Sequence, residues 1–258
     1  MTLVPDAVQR DGGAPQIRDR RKFDVGKVPG LQRTAKDALR CARDKLEKEM
    51  LKIWGRNTSS NVQKAMWAVG ELKLPHERID IGGPFGKNKE PAYLAMNPNG
   101  LVPTLEEDDG FLLWESNSVV RYLAAKYDKD NLLEPKDLRE RALASKWMDW
   151  QLSVASPAIF QLFWGMVRTA PDKRDMAAIR ESTEKTTGAM KILDAQLGKT
   201  KFVAGERFSY GDIPVGIIAY RYKRLAENQP ELPHLARWFD AISSREAFKT
   251  HVSSIPLS

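Results

Sequence analysis

The chain has 258 residues, 42% of them apolar and 29% charged, which suits a globular protein with room for one large domain or two small ones. No apolar run approaches the roughly 18 residues that span a bilayer, and no apolar leader opens the sequence; a cytoplasmic protein without a membrane partner is expected. Of the net charge of +7, residues 1–49 supply +4 through twelve Lys/Arg against eight Asp/Glu, and beyond Met50 the signs interleave, so no nucleic-acid partner is expected.

Residues 1–30 are rich in Gly, Pro and charge without periodicity, and are predicted to be disordered. Over residues 34–49 a thin stripe of Ala35, Leu39, Ala42 and Leu46 suggests a helix. Met50 stands immediately before the first strand signal, so one expectation is that the natural chain starts there and residues 1–49 are an extension. "LKIW" (Leu51–Trp54) then reads as a short buried strand. A helix follows from about Asn61 to Leu72, with Val62, Ala65, Met66 and Val69 on one face. Ser60 fits its N-cap, with Gln63 closing a capping box. "HERIDI" (His76–Ile81) alternates as a second strand, and a short helix is predicted near Glu90–Ala95. "LVPTLE" and "FLLWE" read as two strands around the turn Asp108-Asp109-Gly110. A helix opens at Ser116, and a charged linker runs from Asp128 to Lys136. Everything beyond is helical: Leu138 to about Arg168, which Pro157 should bend or break, then Lys173–Leu197, Asp212–Glu227 and Leu232–Arg245. The organisation is an extension (1–49), a small α/β domain (50–128) and an all-helical domain (137–258).

The single cysteine, Cys41, excludes an internal disulfide and a multi-cysteine metal site. His76, His234 and His251 form no ligand-spaced pair, so no metal is expected. "GGPFGKNK" (Gly82–Lys89) is one residue short of a phosphate loop and has Asn88 where Ser or Thr must hold magnesium.

The element order, with "NPNGLVPTL" (97–105) and "WESNSVVRYLA" (114–124), resembles the cytosolic glutathione transferase family, bacterial and serine-type, from about Met50 to the C-terminus. The resemblance implies a thioredoxin-like domain that binds glutathione as co-substrate, a helical domain that holds an apolar electrophile, and a homodimer. It implies a cis bond between Val102 and Pro103, with Val102 offering its backbone to glutathione's cysteinyl unit as an added strand would. Glu115 and Ser116, at a helix N-terminus, suit the ammonium and carboxylate of the γ-glutamyl unit, and Lys89 joins this binding set. Ser116 as a plain N-cap is the structural alternative.

A hydroxyl among Thr58, Ser59 and Ser60 stands where the family activates the thiol. If Ser60 is spent on the capping box, Ser59 is the freer donor, and spacing to Lys64 places Ser59 at the zeta-type serine; theta- and delta-type spacing selects Ser60. Cys41 precedes the first strand, and no tyrosine occurs before Tyr93, which argues against the other activation chemistries. "Ser59-x-Asn61" also resembles the Thr-x-Asn of nu-like members that act on disulfides and peroxides, so a glutathione-dependent reductase is the alternative activity, and a non-catalytic binding module a second. In the helical domain Trp147, Phe163 and Trp164 are candidate walls of the second-substrate pocket, although such a stripe is more often core. "FSYGDI" (Phe208–Ile213) resembles a folding element of the family, with Ser209 as N-cap and Asp212 at N3.

Overall fold

The computed structural model describes residues 50–258; the expectations for residues 1–49 fall outside the described residues. Strand β1 (Leu51–Trp54) buries Leu51 and Ile53 and leaves Lys52 and Trp54 partly covered, the period of two that a strand imposes. Helix α1 (Ser60–Glu71) carries the chain across to β2 (His76–Ile79), which lies parallel to β1. After helix α2 (Pro91–Met96), strands β3 (Thr104–Glu106) and β4 (Leu112–Trp114) form an antiparallel hairpin, giving the order β2-β1-β3-β4. Gly110 turns the hairpin at φ 87. Helix α3 (Ser116–Tyr127) then packs beside α1. This is the expected thioredoxin-like arrangement.

Helix α1 departs from the one-sided pattern read in the sequence. Val62 through Val69 are all buried. Helix α3 packs beside α1, and helical elements of the second half also cover it: Trp67 meets Phe208 and Phe248, and Glu71 accepts two hydrogen bonds from Arg245. A polar face that looks solvated in isolation is an interdomain contact.

The helical half begins with α4 (Leu138–Trp150), capped by the Asp137 carboxylate on the N–H groups of Arg139 and Glu140. A π-turn over Gln151–Ala155 leads into α5 (Ser156–Phe163), and a second over Trp164–Arg168 ends the run. Pro157 therefore interrupts the helix as expected. It sits in the first turn of α5, where its missing N–H matters least, and the widened turn before it accommodates the ring. Helices α6 (Met176–Leu197), α7 (Asp212–Leu225) and α8 (Pro233–Ser243) follow, then the short α9 (Glu246–Phe248) continued by a π-turn over Lys249–Ser253. No helix among the described residues is long and apolar enough to cross a membrane.

Candidate active site

Leaving β1, the chain turns at Gly55, where a Cβ would stand 2.4 Å from Val62 and 3.1 Å from Val102. A glycine here lets the β1–α1 loop close against both the first helix and the segment before β3. Arg56 follows, and its carbonyl accepts the Ser59 N–H at 3.2 Å. The Ser59 carbonyl in turn accepts the first helical bond, from Gln63 at 2.9 Å.

These bonds move the helix start by one residue. Ser59, with φ −75 and ψ 124, is the N-cap, and Ser60 is already in the helix. The capping box expected between Ser60 and Gln63 does not form: Gln63 is buried, and its Oε1 has no hydrogen-bond partner. Ser59 makes no side-chain capping bond, so its hydroxyl is unspent at the mouth of a twelve-residue helix. The capping-box reason for preferring Ser59 therefore fails, its spacing to Lys64 is untouched, and among the described residues neither the Ser59 nor the Ser60 hydroxyl makes a hydrogen bond. Ser59 and Ser60 are half-buried, and Asn61 is exposed.

The bond between Val102 and Pro103 is cis. The loop before it is held by four side chains, of which only Lys89 was a candidate site residue in the sequence. Tyr93 donates its hydroxyl to the Leu101 carbonyl at 2.7 Å, and the buried Asn97 amide donates to the same oxygen at 2.9 Å. Asn88 donates to the Gly100 carbonyl at 2.7 Å, and Lys89 to that of Asn99 at 3.1 Å. Tyr93 thus acts in the scaffold and not on a substrate. Lys89 is exposed at the rim of the loop.

Pro103 leads into β3, whose Thr104 pairs with Trp54 at the end of β1 and with Trp114 at the end of β4. The cis-proline loop, the β1–α1 loop and the start of α3 therefore gather at one edge of the sheet. At that start Glu115 is exposed and adopts φ 70 and ψ 104, a left-handed conformation unusual for a residue with a side chain. Such strain persists where surrounding structure enforces it, commonly at ligand sites. Ser116 is buried beside it.

One group at this junction served the sequence reading only as a spacing mark. Lys64, on α1, is 1% exposed; its Nζ lies 2.9 Å from Gln151 Oε1 and 3.5 Å from Ser116 Oγ. Burial pushes its pKa down to about 7, with Arg221 assisting and Glu115 opposing. Asn117 completes the node, donating to the Met148 carbonyl at 3.0 Å and to Gln151 at 3.4 Å. Its signal in sequence was only a lysine four residues into a helix, which reads as solvated.

The three aromatic candidates do not come together. Trp147 is 5% exposed and packs edge-on against Trp150, in the core. Seventeen residues of helical run, about 25 Å at 1.5 Å per residue, separate it from Trp164. Phe163 is partly buried under the Arg221 guanidinium, 4.1 Å from its ring centroid, and Trp164 is half-exposed and stacked on Phe160. A separate groove of about 620 Å³, lined by Leu162, Met166, Ile179, Thr187 and Leu225, includes none of the candidate residues. Among the described residues no group of three His, Cys, Asp or Glu is placed to hold a metal ion.

Comparison with known proteins agrees with this geometry. Residues 58–126 match the family model for the glutathione S-transferase N-terminal domain, and residues 154–246 that for the C-terminal domain. The chain is 42% identical over 210 residues to glutathione S-transferase GstB of Escherichia coli K12, covering 81% of this chain and all of that one. It is 30% identical to glutathione S-transferase F9 of Arabidopsis thaliana, covering 79% of this chain and 97% of that protein. Among solved structures, a theta-class glutathione S-transferase from Xanthomonas axonopodis pv. citri with glutathione bound superposes with a TM-score of 0.76 at 42% identity, over 81% of this chain and 99% of that one.

Proposed function

Because the chain belongs to the glutathione S-transferase family and takes glutathione as co-substrate, we propose that Ser59 activates its thiol for attack on a small electrophile. The observation that carries this reading is the Ser59 hydroxyl, left without a capping bond at the N-terminus of α1. An ordinary thiol, with a pKa near 8.5, is only about 3% ionised at pH 7. A hydrogen bond to a charged group contributes about 1.5–3 kcal/mol, and a pKa unit corresponds to about 1.4 kcal/mol. One hydroxyl plus the positive end of the helix therefore lowers the thiol pKa by about one to two units. The serine only donates, so it never has to ionise.

In this reading the Val102 backbone pairs with the cysteinyl unit beside the cis-proline. Ser116 and the N-terminus of α3 receive the γ-glutamyl carboxylate, Glu115 faces its ammonium, and Lys89 at the loop rim meets the glycyl carboxylate. Phe163 and Trp164 flank the electrophile, while Trp147 keeps to the core. A homodimer is part of the proposal, and sedimentation equilibrium tests it.

Titrating the ultraviolet thiolate absorbance of bound glutathione tests the central claim. Wild type should show a thiol pKa one to two units below that of free glutathione, about the size of one charged hydrogen bond. Ser59→Ala should bring it back most of the way, and Ser60→Ala should leave it low. A bound thiol that titrates as it does in water sinks the mechanism.

A further inference from the structure

The fold seals Lys64 away from water and gives it no counter-ion. The residue stands on α1, against which both α3 and α7 pack, and only 1% of it is exposed. Its Nζ meets two neutral oxygens, Gln151 Oε1 at 2.9 Å and Ser116 Oγ at 3.5 Å. Among the described residues no carboxylate lies within ion-pair distance of it. Gln151 is equally buried and opens the π-turn between α4 and α5. Its amide nitrogen donates to Ser156 Oγ, and its oxygen also receives the Asn117 amide at 3.4 Å. Every partner in this node is neutral.

Donor counting suits an uncharged lysine. An amine has two N–H groups, and Nζ has two contacts; an ammonium carries a third N–H, for which the node holds no third contact. A buried ammonium without an opposite charge tends to give up its proton. Two charged groups act on Lys64 in opposite directions: Arg221 from α7 drives the proton off, and Glu115, exposed just before α3, holds it on. Burial outweighs both. The other charged groups on elements packed against α1 have their own partners. Arg245 pairs with Glu71 and Lys52 with Glu106, while His251 lies against Gly70, six residues along the helix.

We propose that Lys64 is uncharged in the free protein above neutral pH and takes up a proton when the γ-glutamyl carboxylate of glutathione settles beside Ser116. The enzyme would then recognise that carboxylate with a cation that the carboxylate itself calls up. The proposal rests on the reading of the start of α3 as the γ-glutamyl site. There the ligand supplies what the node lacks, a negative charge and a third acceptor. One proton from solvent joins the Nζ lone pair, and no bond in the tripeptide breaks. Thiol ionisation returns a proton to solvent, so with glutathione itself the two transfers largely cancel.

S-methylglutathione, which has both carboxylates and no thiol, exposes the uptake. Calorimetric titration of the full chain in buffers of low and high ionisation enthalpy counts the protons that accompany binding. With a free pKa of about 7 and a bound value about two units higher, wild type should take up about 0.8 of a proton per site at pH 8 and about 0.1 at pH 6. Because binding favours the protonated form, affinity should be highest below pH 7 and fall roughly eight- to tenfold between pH 6 and 8. Lys64→Met should bind with no uptake and a flat profile. Lys64→Arg, charged at every pH used, should also show no uptake. The S-methyl analogue that lacks the γ-glutamyl carboxylate should leave even wild type without uptake.

S-methylglutathione binding to wild type at pH 8 without a proton overturns the proposal and leaves thiol activation by Ser59 untouched. Uptake that persists in Lys64→Met also overturns it, because another group would then be titrating. Uptake with the analogue lacking the carboxylate overturns the assignment of the trigger. Full uptake beside a thiol that titrates as in water would keep Lys64 in its role and remove the Ser59 mechanism instead.

Discussion

Replacing Asp212 by alanine is expected to cost about 3–5 kcal/mol of stability, the range for stripping an acceptor from a buried polar network, while glutathione affinity stays within about twofold of wild type. Asp212 opens α7 and is fully buried. Its Oδ1 accepts the Val203 N–H at 3.0 Å and the Trp238 indole N–H at 2.8 Å; its Oδ2 accepts the Ser209 N–H at 2.9 Å and the Ser209 hydroxyl at 3.4 Å. One side chain thus joins the start of α7, the loop before it and α8. Alanine would leave buried donors with nothing to meet.

The same burial raises the Asp212 pKa to about 6 despite those bonds. Because the folded value lies above the unfolded one, the proton stabilises the fold below pH 4, and that contribution is lost as pH rises through 6. It partly offsets the loss in the variant, which is why the figure is not larger. For a domain of this size the midpoint should fall by about 10 °C. Thermal melts beside glutathione titrations check this; an unchanged midpoint with weakened glutathione binding would refute the assignment of Asp212 to folding.

Local pattern made much of this legible. The two-residue period of Leu51 and Ile53, the Asp-Asp-Gly turn and the charged linker gave the succession of elements along the chain and the change to helices. "FSYGDI" announced the bonds from Ser209 to Asp212, although the helix begins at Asp212 and not after a Ser209 cap, and Pro157 announced its interruption, because each acts within a few residues. Thiol chemistry was narrowed to Ser59 or Ser60; where the helix starts was not legible, since it depended on whether the Arg56 carbonyl captured the Ser59 N–H. Spacing alone would have favoured a trans Pro103; only the resemblance pointed to the cis bond that the structure has. Most obscure were the groups whose meaning comes from distant chain. Lys64 looked solvated until Gln151 and Ser116 closed over it. Arg221 looked like surface charge until the fold buried it against the Phe163 ring.

Lys64→Met should stabilise the protein while weakening its hold on glutathione. The lysine is 1% exposed with a pKa lowered from 10.5 to about 7, chiefly by burial, with Arg221 adding and only Glu115 opposing. Its folded pKa lies below its unfolded one, so the charged form costs stability in full below pH 7, and the cost fades as pH rises toward 10.5. At about 1.4 kcal/mol per tenfold change in proton affinity, removing the ammonium should raise the midpoint at pH 6 by roughly 5–10 °C. The gain should shrink steadily as the melts are repeated up to pH 10. Gln151 Oε1 loses its 2.9 Å donor but keeps the Asn117 amide at 3.4 Å, which limits the penalty. Ser116 loses the cation beside its hydroxyl, at the helix start proposed to take the γ-glutamyl carboxylate. Glutathione should therefore bind about three- to tenfold more weakly, the size of one screened charge contact. A midpoint that falls at pH 6 would mean that the lysine is held by its partners more strongly than burial penalises it. A midpoint that rises with glutathione affinity unchanged would mean that its charge does not reach the ligand. The combined result, stability gained and binding lost, is what a fold shows when it keeps a charge for its substrate and not for itself.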